Sequence, residues 1–256
     1  MPRSKKQKNY NNLKLIISVT GIAVLVILIL RWNNARKVKF AHYDAFGIDM
    51  PVAYYIHGID VSRYQKEIDW EDVKQMNVQG IQIDFVFIKA TEGVNLTDKC
   101  FAPNWKNARK QKIPRGAYHF FNPLQDPAKQ AAYYLSRVKL LPGDLPPVLD
   151  AEQASILPVN VFRSKLKTWL NIIEAHYKVK PVIYTNADFY NKYLGPEFND
   201  YPLWVAHYYE RKKPRIDRDW TFWQHNDRGN VSGINAKVDF NVFNGDSVAF
   251  NTLLVK

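Results

Sequence analysis

Between Ile56 and Asn241 the chain alternates short apolar runs of strand length with helix-length intervals, and this alternation restricts the fold more than any other feature. Strand-like runs fall at Ile56–Val61, 85–89, 116–121, 147–151, 181–185, 202–206, 221–224 and 238–241. Most are separated by the length of a crossover helix, which predicts an α/β fold with a largely parallel sheet, either open and doubly wound or closed into a barrel. Helix starts are legible: Asp126 precedes Pro127, and Asp69 precedes a segment running to Met76. From 161 to 177, Phe162, Leu166, Trp169, Leu170, Ile173 and Tyr177 recur at three- and four-residue spacing, an apolar stripe that must pack on the sheet.

The polar residues choose between the two sheets. Nearly every predicted strand ends in a group able to do chemistry: Asp60, Lys89 with Glu92, His119, Asp150 with Glu152, Asn186, His207, Gln224 and Asp239. Strand C-termini converging on one mouth are the pattern of a barrel.

Residues 15–30 (LIISVTGIAVLVILIL) carry no charge and are bounded by Lys14 and Arg31, with Trp32 at the interface position. Such a helix is about 24 Å long, slightly short of a ~30 Å hydrocarbon core, and the flanking cations can snorkel. The following RWNNARKVKF lacks a small-x-small cleavage site, so the segment reads as an uncleaved signal anchor. The expected organisation is a basic tail (1–14), a transmembrane anchor (15–32), a linker (33–55) and one catalytic domain (56–256). The chain's net charge of +12 is mostly juxtamembrane: residues 1–43 hold 9 of 36 Lys and Arg and no acid, leaving 27 basic against 24 acidic side chains in the rest. This suits anionic headgroups, and no zinc-ligand spacing or RNP-type motif supports nucleic acid as a partner. One cysteine, Cys100, excludes an intramolecular disulfide, and six scattered histidines give no metal-ligand pair. No metal or cofactor is expected.

Asp150 and Glu152 stand two residues apart where an apolar strand ends. On extended chain both point to one face, with Cα atoms about 6.6 Å apart. Each carboxylate then raises the other's pKa, and the less solvated one stays protonated near neutrality, as a general acid requires. Alone, this spacing is a weak signal and reads more readily as a solvated strand end.

Its context is more specific. Gly58-Ile59-Asp60-Val61-Ser62-Arg63-Tyr64-Gln65, Ile68-Asp69-Trp70, Phe85 to Gly93 (FVFIKATEG), Gly116-Ala117-Tyr118-His119-Phe120, Pro147 to Glu152, Val182-Ile183-Tyr184-Thr185-Asn186, Leu203-Trp204-Val205-Ala206, Phe222-Trp223-Gln224-His225 and Val238-Asp239-Phe240-Asn241 resemble, in order, the signatures of the glycoside hydrolase family 25 lysozymes, the Chalaropsis-type N-acetylmuramidases. The resemblance covers about Ile56 to Gly245. It implies a single irregular, flattened TIM-like barrel that cuts the β-1,4 bond after N-acetylmuramic acid in peptidoglycan. Glu152 aligns with the proton donor, Asp60, Asp150 and Asp239 with the surrounding acids, and Tyr118 with the tyrosine of the cleft.

Two mechanisms stay open at this stage. In one, the substrate's own 2-acetamido oxygen attacks while Asp150 orients the amide; in the other, a carboxylate attacks directly or activates water. Further candidates for substrate contact are Tyr184, Trp204, Trp223, Gln224, Lys89 and Glu92. The two tryptophans read more readily as core, since aromatics in barrel strands usually are; Lys89 and Glu92 read as a simple ion pair, and His119 as a buried structural histidine. Ser62 is expected in a turn or bonded to Asp60. The expected enzyme is a monomer held by residues 15–32 at a bacterial cytoplasmic membrane, its catalytic domain on the extracytoplasmic side. Two rivals are a catalytically inert peptidoglycan-binding scaffold and a chitinase-like hydrolase of another N-acetylhexosamine polymer.

Overall fold

All eight predicted strand runs form strands in the computed structural model, which describes residues 5–35, 37–153 and 156–256. They are β1 (His57–Val61), β2 (Phe85–Glu92), β3 (Arg115–Phe120), β4 (Val148–Asp150), β5 (Val182–Asn186), β6 (Leu203–Ala206), β7 (Phe222–Val231) and β8 (Ile234–Phe243). The helices are α1 (Lys5–Ala35), α2 (Trp70–Gln75), α3 (Phe101–Lys110), α4 (Pro127–Arg137), α5 (Val159–Tyr177), α6 (Ala187–Tyr193) and α7 (Ser247–Leu253). In space the strands run β1-β8-β7-β6-β5-β4-β3-β2, and pairing of β1 with β2 closes the ring. Neighbours are parallel except at β8, which is antiparallel to both β7 and β1. The irregularity has a local cause: β7 and β8 are joined by a tight turn at Ser232-Gly233, with Gly233 at φ +84°, instead of a helix.

Alternation along the strands stacks two layers inside the ring. On β2, Phe85 and Phe87 face inward before Lys89; on β4 Val148 precedes Asp150; on β5 Val182 precedes Tyr184; on β7 Phe222 precedes Gln224. On β8, which runs the other way, the order is Asp239, Asn241, Phe243. Apolar rings thus fill one end of the barrel and polar groups gather at the other. Phe87 stacks on Trp204 at 4.2 Å, and Phe222 lies 5.1 Å from Phe85 and 5.3 Å from Phe243. Phe250 of α7 closes this end, 5.7 Å from Phe85. Gly58 and Gly116 make the ring packing possible, since a Cβ there would come within 2.4 Å of Phe85 and 2.5 Å of Phe87.

Outside the ring, the α5 stripe behaves as its spacing predicts: Phe162, Leu166, Trp169, Leu170 and Ile173 are buried, and the Tyr177 hydroxyl donates to the Val138 carbonyl at 2.7 Å. Asp126 caps α4 by accepting from Lys129 N at 2.9 Å, and Asp69 caps α2 by accepting from Glu71 N and Asp72 N.

Residues 33–55, expected as linker, depart from that reading. Phe40–Tyr43 and Ile48–Pro51 pair as an antiparallel hairpin, with Phe46 and Met50 fully buried and the Phe46 ring 5.3 Å from Phe240. Four-residue strands are too short to announce themselves by periodicity, and their stability comes from covering the outer face of β7 and β8.

The N-terminal helix is a separate unit. Its stretch Lys14–Trp32 has a mean hydropathy of 2.5, and none of its residues is buried within the protein. At 19 residues, about 28 Å, it is long and apolar enough to cross a bilayer.

Candidate active site

The polar ends of the barrel strands enclose a cleft of about 430 Å³. Asp60, Asp150, Glu152, Asp239, Tyr118, Tyr184, Trp204, Gln224, Lys89 and Glu92 all line it, so ten of the eleven residues singled out from sequence converge in one place. Tyr208, Arg63 and Tyr64 also line it and were not foreseen. A roomier depression of about 610 Å³ beside α2 is lined by exposed Glu67, Glu71 and Asp72, and by Asp69, already engaged in capping. Among the described residues it brings together no buried ionisable side chains.

Asp60 sits at the centre of a directed network. It lies opposite Asp239 across the β1–β8 pair. Its Oδ2 accepts from Gln224 Nε2 at 2.7 Å and Asn241 Nδ2 at 2.8 Å. Both amides are oriented from behind: Trp204 Nε1 donates to Asn241 Oδ1 at 2.7 Å, while the hydroxyls of Tyr184 and Tyr208 donate to Gln224 Oε1, each at 2.8 Å. With its oxygen so occupied, each amide can only donate toward Asp60. Burial raises the Asp60 pKa well above the usual carboxylate range and the Asp239 charge adds to it, with the two amide donors pulling the other way. Asp239 is itself pushed up to about 7, by burial first and then by Asp227 and Glu152.

Asp150 and Glu152 share the cleft because the chain stays strand-like past the end of β4. Ala151 N donates to Tyr184 O at 2.9 Å, and Thr185 Oγ1 to Ala151 O at 2.7 Å. Asp150 is 5% exposed, and its Oδ1 has no hydrogen-bond partner among the described residues. Burial raises its pKa first and Glu152 second, with Lys89 opposing. Glu152 is open to the cleft, yet enough protein surrounds it for burial to raise its carboxyl too, again opposed by Lys89. Burial, more than the mutual repulsion expected from the spacing, is therefore the leading cause at both. Solvation alone holds a proton more firmly on Asp150, so Glu152 is distinguished by access to the opening.

The remaining candidates sort by strand face. Lys89 Nζ pairs with Glu92 Oε2 at 2.8 Å and lies over the Phe120 ring. Trp204 is 2% exposed, its body part of the core and its N–H spent on Asn241. Trp223 does not face the cleft, a correction to its place among the sugar contacts. It is fully buried on the outer side of the sheet between Phe40, Tyr54 and Trp220, and its Nε1 donates to His207 O at 3.0 Å. Gln224 points in, so its neighbour must point out. His119 is structural, stacked on Trp169 at 5.5 Å and bonded to Thr91 and Gln130; burial lowers its pKa to about 4. Ser62 caps the turn at Arg63–Gln65. Asn241 and Tyr208 are the network members that sequence reasoning missed. Asn241 carried a signal, since it stands two residues from Asp239 and so shares its face; Tyr208 lies beyond the end of β6, where periodicity gives none.

The family model described as Glycosyl hydrolases family 25 matches residues 59–234. The uncharacterized protein YegX of Escherichia coli (strain K12) is 48% identical over 223 residues, spanning 87% of this chain and 80% of its own. Lysozyme M1 of Streptomyces globisporus is 36% identical over 209 residues, 75% of this chain and 69% of its own. Among solved structures, a family 25 glycosyl hydrolase from Bacillus anthracis superposes with a TM-score of 0.72 at 32% identity, covering 83% of this chain and 96% of that one.

Proposed function

The chain belongs to glycosyl hydrolase family 25, and from that membership we propose that it is a muramidase, cutting the β-1,4 bond between N-acetylmuramic acid and N-acetylglucosamine in peptidoglycan. The observation that carries this reading is the pair at the end of β4: a deep carboxylate whose Oδ1 has no partner among the described residues, beside a second carboxyl open to the cleft. In the proposed chemistry, Glu152 protonates the glycosidic oxygen as the C1–O bond breaks, and the 2-acetamido carbonyl oxygen of the same sugar bonds to C1. The amide N–H donates to Asp150 Oδ1, which favours ionised Asp150 and so leaves the pair's shared proton on Glu152. Water then adds to C1 as the acetamido oxygen leaves. Glu152 takes the proton of that water, and both carboxyls return to their starting states.

Asp60 and Asp239 keep the cleft polar, and Asp239 where ionised stabilises positive charge as it develops on the sugar ring. Tyr118 furnishes a hydrogen-bonding edge to the bound sugar, and Tyr184 and Gln224, committed to the Asp60 network, form the wall behind it. No cofactor enters the scheme. We place residues 15–32 across the bacterial cytoplasmic membrane once, with the barrel on the extracytoplasmic side, a reading supported by the unburied apolar helix and by where peptidoglycan lies. The test is digestion of purified peptidoglycan by the full-length chain in detergent, followed by borohydride reduction and identification of the reduced sugar. Reduced muramic acid is expected. Reduced glucosamine, or no reduced sugar, would overturn the reading.

A further inference from the structure

The turn after β1 combines a rigid base with two exposed side chains. Arg63–Gln65 forms a single helical turn capped by Ser62, whose Oγ accepts from Tyr64 N at 3.3 Å while Gln65 Oε1 accepts from Ser62 N at 2.9 Å. Gln65 Nε2 ties the turn to β8 by donating to Lys237 O at 2.9 Å. From the other side, buried Asp98 accepts from Arg63 N at 2.9 Å and from Cys100 N. Against this fixed backbone, the Arg63 and Tyr64 side chains are exposed at the wall of the cleft, Tyr64 to 70%, with the guanidinium 5.4 Å from the Tyr64 ring centroid. A large aromatic left in water at a cleft wall fits contact with a ligand better than packing.

Charge makes the assignment more specific. The cleft is lined by Asp60, Glu92, Asp150, Glu152 and Asp239 against two cations, Lys89 and Arg63. Lys89 is held by Glu92 at 2.8 Å. Among the described residues no carboxylate lies within ion-pair distance of Arg63, whose exposed guanidinium lies beside the Tyr64 ring. A cleft lined by so many carboxyl groups offers an anionic polymer no attraction unless a cation stands where the polymer carries its charge. On the muramidase reading, on which this inference rests, every second sugar bears a lactyl arm ending in a carboxylate or in a stem peptide with its own carboxylates.

We propose that Arg63 is a specificity-determining residue that binds a carboxylate carried on the lactyl arm of the muramoyl sugar, with Tyr64 as the flat wall beside it. The guanidinium forms a charge-assisted pair that an uncharged N-acetylglucosamine polymer cannot supply.

The test measures kcat and KM of the full-length chain in detergent on three glycan strands: peptide-bearing, stripped to the free lactyl carboxylate, and stripped with that carboxylate converted to the amide. The wild type is expected to show a KM about fivefold lower on the strand carrying the recognised carboxylate than on the amidated strand, a modest factor suited to an exposed pair. Preference for the first strand identifies the peptide as the source of the carboxylate, and preference for the second identifies the lactyl group itself. Arg63→Gln is expected to abolish the preference by raising KM on the charged strand alone, and Arg63→Lys to keep part of it. Equal KM values for the wild type on charged and amidated strands, or an Arg63→Gln loss of the same size on both, would overturn the proposal while leaving the muramidase reading intact. Failure of the wild type to cut any of the three would remove that reading and this inference with it.

Discussion

The two ends of strands β3 and β4 treat buried carboxylates in opposite ways. At the end away from the cleft, Asp144 is 2% exposed and fully matched: Arg115 Nε donates to it at 2.9 Å, Leu141 N at 2.8 Å, and Arg109 stands 3.6 Å away. Arg115 is itself stacked on Trp105 at 3.7 Å and bonded to the Trp105 carbonyl. At the cleft end, Asp150 is almost as buried yet has an oxygen with no partner among the described residues, and Asp60 and Asp239 stand together with amides and hydroxyls as neighbours instead of guanidinium groups. An ion pair at one end holds charge permanently. At the other, burial outweighs what little opposes it, Lys89 at Asp150 and Glu152 and the two amide donors at Asp60, and makes each carboxyl bind a proton more readily, which costs stability and suits proton transfer.

This contrast can be broken at either end. The largest effect is expected at the cleft: Glu152→Gln should lower kcat/KM about 10³-fold, within the range for loss of a general acid, with an unchanged melting temperature. Asp144→Asn should do the reverse, destabilising by about 3 kcal/mol in denaturant titration because Arg115 is left buried without a counter-charge, while activity per folded molecule is kept.

Asp239 sharpens the comparison through pH. Its folded carboxyl is pushed up to about 7 against an ordinary value of 3.8, so between those limits the folded state binds more protons than the unfolded one and stability falls as pH rises. Asp239→Asn should therefore stabilise by roughly 2 kcal/mol at pH 8, discounted for partial solvent access, with the gain disappearing near pH 4; thermal melts across that range read it directly. The smallest effect belongs to Trp223→Phe, which removes the hydrogen bond to His207 O and should cost about 1 kcal/mol of stability with unaltered kinetics. A large rise in KM would restore Trp223 to the sugar site.

Much of this was legible in the sequence because strand periodicity places core and chemistry on one face. Val148 with Asp150, and Phe222 with Gln224, announce both the barrel interior and its mouth. The same alternation places Trp223 on the face opposite Gln224 and Asn241 on the face of Asp239, so both positions are encoded in the strand period. The hairpin at 40–51 was hidden for another reason: its strands are short, and their stability is tertiary, supplied by Phe46 and Met50 against the sheet. The unequal environments of Asp150 and Glu152 depend on depth in the cleft, and the pinned turn at Arg63 on contacts with Asp98 and Lys237 far along the chain; spacing encodes neither.

The most direct test of the central claim is product analysis by mass spectrometry of peptidoglycan digested side by side by the full-length chain and its Glu152→Gln variant, with circular dichroism confirming equal folding. Fragments ending in muramic acid are expected from the wild type and none above background from the variant. Undiminished cleavage by Glu152→Gln would contradict Glu152 as the general acid.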